Sequence, residues 1–220
     1  THVAADLTKA YRPQKVREAT RQFVYIPGRR DLFVVFDRVE ATREEFAKTW
    51  FLHVPTQPRA EGAVKTLVDG HVWSTAGGTL NWLSDPAGVT EVLSTGRSRA
   101  FLRTVLPEKA EMTVRGGEGH DFWGHPLEPT AQYNHKHKGR PGDAPPVVPW
   151  RIEVNPTDRA ARQYFLHVLE IGDEGDQKMS DVRLRRSGDG RKVGVAVARP
   201  EGEMVLWFAQ EGTPSVERLP

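Results

Sequence analysis

Short runs of β-branched and aromatic residues recur along the whole chain, at intervals of roughly ten residues. Glycine, proline, aspartate and asparagine separate the runs, and the 20 glycines and 16 prolines are spread along the chain rather than gathered into one linker. Consecutive strands joined by such turns pair antiparallel and pack as sheets. The sequence therefore predicts an all-β fold, an antiparallel two-sheet β-sandwich of about a dozen short strands with little helix.

The whole chain, residues 1–220, is predicted to be a single β-sandwich domain. Residues 42–48 fit one helical turn, with Thr42 as N-cap and Glu45 as its capping-box partner, although Phe46 and Trp50 fit a strand about as well. The predicted strands are residues 15–26, 32–39, 46–54, 71–75, 79–83, 89–93, 100–106, 112–115, 150–154, 163–171, 182–186, 192–198 and 204–210.

Charge and residue usage exclude several classes of function. Lys and Arg total 31 against 29 Asp and Glu, a net charge of +2 that argues against a nucleic-acid partner. The chain has no cysteine, which excludes disulfides, thiolate nucleophiles and cysteine-bound zinc. Its longest apolar runs, 32–36 and 204–209, are too short to span a bilayer. Serine nucleophile elbows, phosphate loops, dinucleotide fingerprints and zincin helices are also missing. Because the first residue is Thr1, we expect a processed or excised piece whose targeting signal lies upstream.

Residues 116–149 form the longest weakly patterned stretch, which predicts a long loop inside the domain. Its basic side chains are candidates for binding the carboxylates or sulfates of an acidic polysaccharide, and a solvated loop is the alternative. These substrate-binding candidates are His135, Lys136, His137, Lys138 and Arg140. The spacing of His135 and His137 also resembles a metal pair, but carboxylates at convincing spacing are lacking, so no metal site is predicted.

Asp37 and His53 lie in two predicted strands that follow each other along the chain. A carboxyl group inside an apolar strand must be paired or exposed, because an unpaired buried carboxylate is costly. Asp37 could accept hydrogen bonds from Arg38, from His53 or from the backbone. The two residues are therefore either a catalytic or metal pair, or a satisfied polar contact at a sheet edge.

Four tryptophans are candidates for sugar-stacking platforms or for core residues. Trp82 and Trp150 sit within strand patterns, which favours the core, and Trp73 is open to either interpretation. Trp123, between Phe122 and Gly124, is the better candidate for a partly exposed ring, although the core remains the favoured interpretation for it too.

Seven segments together resemble the C-terminal β-sandwich of the heparinase II/III-like polysaccharide lyases. Their order and spacing match that family over most of residues 1–172, whereas residues 173–220 match less well and are expected to be closing strands. The segments are ADLTKAY (5–11), RQFVY (21–25), FVVFDRV (33–39), WFLH (50–53), TVLPE (104–108), GGEGHDFW (116–123) and FLHVL (165–169).

The resemblance implies that an N-terminal α-helical toroid and upstream sandwich strands of the same protein pack against this chain. A uronate-containing glycan would lie in the cleft and be cleaved by β-elimination, in the periplasm or outside the cell. The family's Tyr and His acid/base residues are mostly in the toroid, and its sandwich metal site uses His-Ala-Asp and His-Asn-Thr motifs. This sequence has neither motif. No catalytic residue and no cofactor are therefore assigned to it, and a zinc-like divalent metal would belong to the upstream strands.

The sequence thus predicts the C-terminal sandwich of a polysaccharide lyase, inactive alone and completing the fold or lining the substrate cleft. The alternative is a non-catalytic carbohydrate-binding or structural β-sandwich module. Heparan-like, chondroitin-like and alginate-like glycans, endo or exo action, and the oligomeric state all stay open at this point.

Overall fold

The computed structural model of the protein describes residues 1–84, 97–117, 120 and 149–219. These residues contain sixteen strands, one 3-10 turn at Thr8–Ala10 and no α-helix. The strands are β1 (His2–Asp6), β2 (Val16–Ile26), β3 (Asp31–Ala41), β4 (Trp50–Val54), β5 (Arg59–Ala60), β6 (Lys65–Val68), β7 (Val72–Thr75), β8 (Thr79–Ser84), β9 (Ser98–Leu106), β10 (Ala110–Gly116), β11 (Trp150–Pro156), β12 (Arg162–Asp173), β13 (Val182–Arg186), β14 (Lys192–Arg199), β15 (Gly202–Ala209) and β16 (Val216–Leu219).

The strands form three antiparallel sheets. A seven-stranded sheet has the order β1-β2-β3-β12-β9-β8-β5, a five-stranded sheet has the order β4-β11-β10-β7-β6, and a four-stranded sheet has the order β13-β14-β15-β16. Each described pairing is antiparallel. The predicted all-β, antiparallel sandwich is confirmed.

The seven-stranded sheet lies between the other two, because its strands contribute side chains to two separate cores. On one face Leu32, Val34 and Phe36 of β3 pack with Val195 of β14 and Leu206 of β15. Successive strand residues point to opposite faces. The alternate residues of the same sheet therefore face the five-stranded sheet.

The second core joins the seven-stranded and five-stranded sheets. Leu102 of β9 and Phe165 of β12 pack there with Met112 of β10 and Ile152 of β11. The core also takes in tryptophans that the sequence offered as core residues or sugar platforms. They are Trp73, Trp82 and Trp150, and all three are buried.

The third sheet is a finding beyond the predicted pair of sheets. Strands β13 to β16 are consecutive in sequence and pair only with one another, so they close as a separate meander over the second face. The central strands are consequently buried on both faces, as the unbroken burial from Val34 to Arg38 shows. A continuous apolar run such as 32–36 is typical of a strand covered on both sides.

Several local predictions differ from the structure. Residues 42–49 contain bends and a turn, neither a helix nor a strand, and the third predicted strand begins only at Trp50. The pattern missed β1, β5, β6 and β16, which are short strands at or near sheet edges with few buried side chains. The predicted strand at 89–93 lies outside the described residues. Within the part of the chain that the structure describes, no helix has the length and apolar character to cross a membrane.

Candidate functional site

Asp37 and His53 lie in different sheets, so the possible pairing of these two residues is not formed. Strand β3 is paired with β2 and β12 in the interior of the seven-stranded sheet, whereas β4 is an edge strand of the five-stranded sheet. Asp37 instead accepts two hydrogen bonds from Arg21, from Nε to Oδ1 at 2.8 Å and from Nη2 to Oδ2 at 2.6 Å. The register of β2 and β3 places these two residues opposite each other. The partner of Asp37 is thus the facing residue of the preceding strand.

A fully buried histidine lies on the same face of the sheet as Asp37. The His167 ring stacks on Trp50 with centroids 3.8 Å apart. The Thr104 hydroxyl donates to Met112 Sδ at 3.3 Å, which leaves its oxygen able to accept from His167 Nδ1 at 3.2 Å. Burial, helped by the positive charge of Arg21, lowers the pKa of His167 to about 3, so the imidazole is neutral.

This buried cluster joins the two sheets and is closed to solvent. His167 is 0% exposed and Asp37 is 5% exposed. Burial raises the pKa of the Asp37 carboxyl, and the hydrogen bonds and charge of Arg21 oppose that rise. Both groups are buried and already have a partner inside the protein, Arg21 for Asp37 and Thr104 for His167, so we assign the cluster to stability rather than to chemistry.

A second polar group of residues lies on the opposite, outer face of the five-stranded sheet. Trp50, Met112 and Ile152 point into the core, so their sequence neighbours point outward. Pairing places the outward residues in two rows across neighbouring strands, one containing His53, Arg151 and Arg115 and the other containing Phe51, Glu153, Thr113 and Ser74. We call these seven residues the outer-face cluster.

Ionic and aromatic contacts organise the outer-face cluster. Arg151 donates from Nε to Glu153 Oε1 at 2.8 Å and also from Nη2 to the same oxygen. The Arg151 guanidinium lies 5.3 Å from the centre of the Phe51 ring, and Arg115 Nε lies 3.9 Å from Glu153 Oε1. Both arginines are almost fully buried, since Arg115 is 3% exposed and Arg151 is 6% exposed. Their charges are therefore fixed in position beneath the more exposed side chains.

Phe51 and His53 are the exposed part of this cluster. Phe51 is 38% exposed, and His53 is also exposed on the same edge strand. Partial burial, together with the positive charge of Arg151, lowers the pKa of His53, and Glu153 partly opposes that shift. The arrangement offers an aromatic ring held over a guanidinium, beside an imidazole that an anion would help to protonate.

Two more histidines lie where β10 ends. The rings of His71 and His120 stack with centroids 4.6 Å apart, and His71 Nδ1 lies 3.2 Å from the carbonyl oxygen of Gly116. Gly117 has φ +84°, a conformation that L side chains rarely adopt, and a Cβ at that position would come within 3.0 Å of His71 Nδ1. A glycine is therefore needed where the chain turns past this pair.

The predicted substrate-binding residues His135, Lys136, His137, Lys138 and Arg140 lie outside the described residues, as does Trp123. Gly116 and Trp150 are paired opposite each other, immediately beside the facing pair Arg115 and Arg151. Gly116 and Trp150, at the two ends of the predicted loop, therefore lie next to the outer-face cluster. Among residues 1–84, 97–117, 120 and 149–219, no three His, Asp or Glu side chains lie close enough together to hold a metal ion. The predicted lack of a cofactor in this chain stays a prediction.

Sequence reasoning missed Phe51, Arg115, Arg151 and Glu153 as candidate site residues. The available signal was the alternation of apolar and charged residues in the runs Met112–Arg115 and Trp150–Val154. One face of such strands is buried in the core, so the charged residues must share the other face. Which of them meet depends on the strand order, and local sequence does not contain that order.

Comparisons with known proteins give limited likenesses. No protein-family model matches the chain. No curated protein matches it either. Among solved structures, the chain is similar to the crystal structure of heparan sulfate lyase HepC from Pedobacter heparinus, at 11% identity and a TM-score of 0.44, covering 90% of this chain and 25% of that chain. A HepC mutant from the same organism gives 11% identity and a TM-score of 0.40, covering 94% of this chain and 24% of that chain. This chain thus spans about a quarter of the HepC chain's length.

Proposed function

We propose that this chain is the sandwich portion of a polysaccharide lyase acting on uronic-acid-containing glycans, and that its outer-face cluster contacts the glycan. The observation that carries the proposal is the placement of Phe51 and His53, both exposed, directly over the buried Arg151. The ordered sequence segments that resemble the heparinase II/III-like lyases, WFLH (50–53) among them, support the same assignment.

The chemistry of the cluster suits an acidic sugar. A pyranose ring has apolar C–H groups that pack on an aromatic face, and Phe51 offers that face. A uronate carboxylate or a sulfate is favoured near a fixed guanidinium and a protonatable imidazole, because charge-assisted hydrogen bonds are stronger than neutral ones. Arg151 is held by Glu153 and cannot lose its charge, so it attracts the anion at every pH of interest.

In β-elimination a base removes the proton beside the uronate carboxylate, nearby donors neutralise that carboxylate, and the glycosidic oxygen leaves with a proton. The outer-face cluster would supply binding and charge neutralisation, while the base and acid would come from the rest of the protein. The 220-residue chain should therefore bind acidic glycans without forming unsaturated uronate, which is read from its ultraviolet absorbance.

The test is the affinity of the chain for chondroitin-, heparin- and alginate-derived hexasaccharides at low and high salt. Phe51→Ala should weaken binding about tenfold, because an aromatic contact at the centre of a site commonly contributes more than 1 kcal/mol. Arg218→Gln is the control for general charge effects, since it removes one exposed positive charge from the four-stranded sheet. Urea unfolding of each variant shows whether the fold is kept.

If Phe51→Ala and Arg218→Gln bind every acidic hexasaccharide like the unchanged chain, the outer-face cluster is not a glycan site. Clear turnover by the chain alone would contradict the division of roles between this chain and the rest of the protein. Binding that Arg218→Gln weakens as much as Phe51→Ala does would show that the contact is not specific to the outer-face cluster.

The basic residues predicted from sequence belong to the same proposal. His135, Lys136, His137, Lys138 and Arg140 would extend the glycan contact from the neighbouring segment. Replacing Lys136, Lys138 and Arg140 by Ala should lower affinity at low ionic strength and have little effect at high salt, because exposed ionic contacts are screened. An unchanged affinity at low salt would show that these three cations do not contact the glycan.

A further inference from the structure

The outer face of the four-stranded sheet carries a tryptophan that belongs to neither core. Val193, Val195 and Val197 of β14 are buried against the seven-stranded sheet, so Gly194 and Ala196 point to the outer face. Pairing places Trp207 of β15 opposite Gly194. Trp207 is partly exposed, whereas its neighbours Leu206 and Phe208 are buried.

The indole lies down on the sheet because glycine leaves room for it. A Cβ at Gly194 would clash with the carbonyl oxygen of Leu206 and would come within 2.9 Å of Trp207 Cε3 and 3.1 Å of Trp207 Cδ2. Real Cβ atoms are rarely so close to a neighbouring atom. Position 194 must therefore be glycine for the Trp207 ring to pack this closely on β14. The outward residues Gly194 and Ala196 of β14 are small, whereas the strands on both sides of β14 present longer side chains on this face.

Ion pairs border the indole on both sides. Arg185 lies opposite Gly194 in the same row and donates to Glu203 at 2.7 Å, and Arg183 approaches Glu203 at 3.5 Å. On the other side Glu217 lies opposite Trp207 and pairs with Lys192. The side chains of these pairs are between 36% and 55% exposed, so their oxygens and N–H groups keep hydrogen-bonding capacity toward a ligand.

We propose that this face, which we call the Trp207 face, is a second saccharide-binding site that takes an uncharged pyranose ring. The C–H groups of the sugar would pack on the indole, and its hydroxyls would bond to the bordering carboxylates and guanidiniums. Beside the indole, three acidic side chains, Asp181, Glu203 and Glu217, meet three basic ones, Arg183, Arg185 and Lys192. Nearly balanced charge of this kind suits a ring with hydroxyls at both ends better than a polyanion.

The site lies on a different sheet from Phe51 and His53, and it does not depend on the proposed cleavage activity. Its occupant would anchor the protein on neutral stretches of a glycan or on a neighbouring polysaccharide. Apolar or aromatic side chains with a few well-placed polar groups are the usual lining of sites for small molecules.

The test uses the full chain with ¹⁵N-labelled tryptophan, and it follows the indole N–H signals by NMR. The Trp207 signal is identified by its loss in Trp207→Phe. The probes are hexasaccharides of β-linked glucose, xylose and galactose, and one built from hexosamine and uronate. We expect at least one neutral probe to shift the Trp207 signal in a saturable way that salt does not change.

Trp207→Ala should lower that affinity at least about tenfold, and Trp207→Phe should keep part of it because a smaller ring remains. Phe51→Ala should have no effect on the shift, which separates this site from the outer-face cluster. A Trp207 signal that no probe moves, or equal affinity in Trp207→Ala, overturns the proposal. Binding of the uronate probe alone, lost at high salt, also overturns it, because the contact would then be ionic.

Discussion

Acid should destabilise this protein through the buried imidazole of His167. His167 has a pKa of about 3 in the folded chain, against 6.5 for a histidine in water. As pH falls through 6.5, the unfolded chain gains this proton and the folded chain does not, so folding loses stability progressively until pH 3. His167→Phe removes the proton site and keeps a ring to stack on Trp50.

The size of the effect follows from the two pKa values. Each unit of pKa difference is equivalent to about 1.4 kcal/mol, so lowering the pH from 7 to 5 should cost the native chain about 2 kcal/mol through His167 alone. The cost should grow to about 4 kcal/mol at pH 3. Asp37 has a raised pKa and so acts in the opposite direction, but it is present in both proteins and cancels in their difference.

The assay is urea unfolding followed by tryptophan fluorescence at several pH values, for the native chain and for His167→Phe. The free energy of unfolding of the variant should fall less between pH 7 and pH 5, by about 2 kcal/mol. His53→Gln serves as control, because that histidine is exposed and should account for little of the slope. Parallel pH dependences in the native chain and His167→Phe would refute the reasoning.

Three further outcomes are expected. Arg21→Gln should lower the free energy of unfolding by about 2 kcal/mol at neutral pH, because Asp37 loses its partner. Urea unfolding should show a smaller loss at acidic pH, where the Asp37 carboxyl is protonated. Gly194→Ala should cost about 1 to 3 kcal/mol by the same assay, because its Cβ would crowd both the Leu206 carbonyl oxygen and the Trp207 ring. An unchanged stability would show that the backbone and the ring both adjust at no cost. Affinity for an acidic hexasaccharide should rise as pH falls through the lowered pKa of His53, and a pH titration of His53→Gln should be flatter.

Local sequence was enough to predict most strands of the two large sheets. Runs such as 32–39 and 163–171 combine β-branched and aromatic residues between turn residues, and both lie within strands, β3 and β12. The antiparallel all-β class followed from the same pattern. Edge strands such as β1 lack the pattern, because their side chains are exposed and nothing selects for apolar residues there.

The candidate site depended on long-range pairing that no local pattern contains. The sequence left a contact between Asp37 and His53 open, because their strands follow each other, but strand β12, far along the chain, pairs with β3. His53 meets Arg151 because β11, from the second half of the chain, pairs with β4. Spacing along the sequence identified which residues carry charge, and the strand order determined which of them meet.

Photo-crosslinking tests the proposed glycan contact most directly. An acidic hexasaccharide with a photoreactive group would be bound to the chain at low salt, irradiated, and mapped to peptides by mass spectrometry. The proposal predicts adducts on the outer-face cluster, in peptides that contain Phe51 and His53 of β4 or Arg151 of β11, and fewer adducts in Phe51→Ala. Adducts confined to other strands, with β4 and β11 unlabelled, would contradict it.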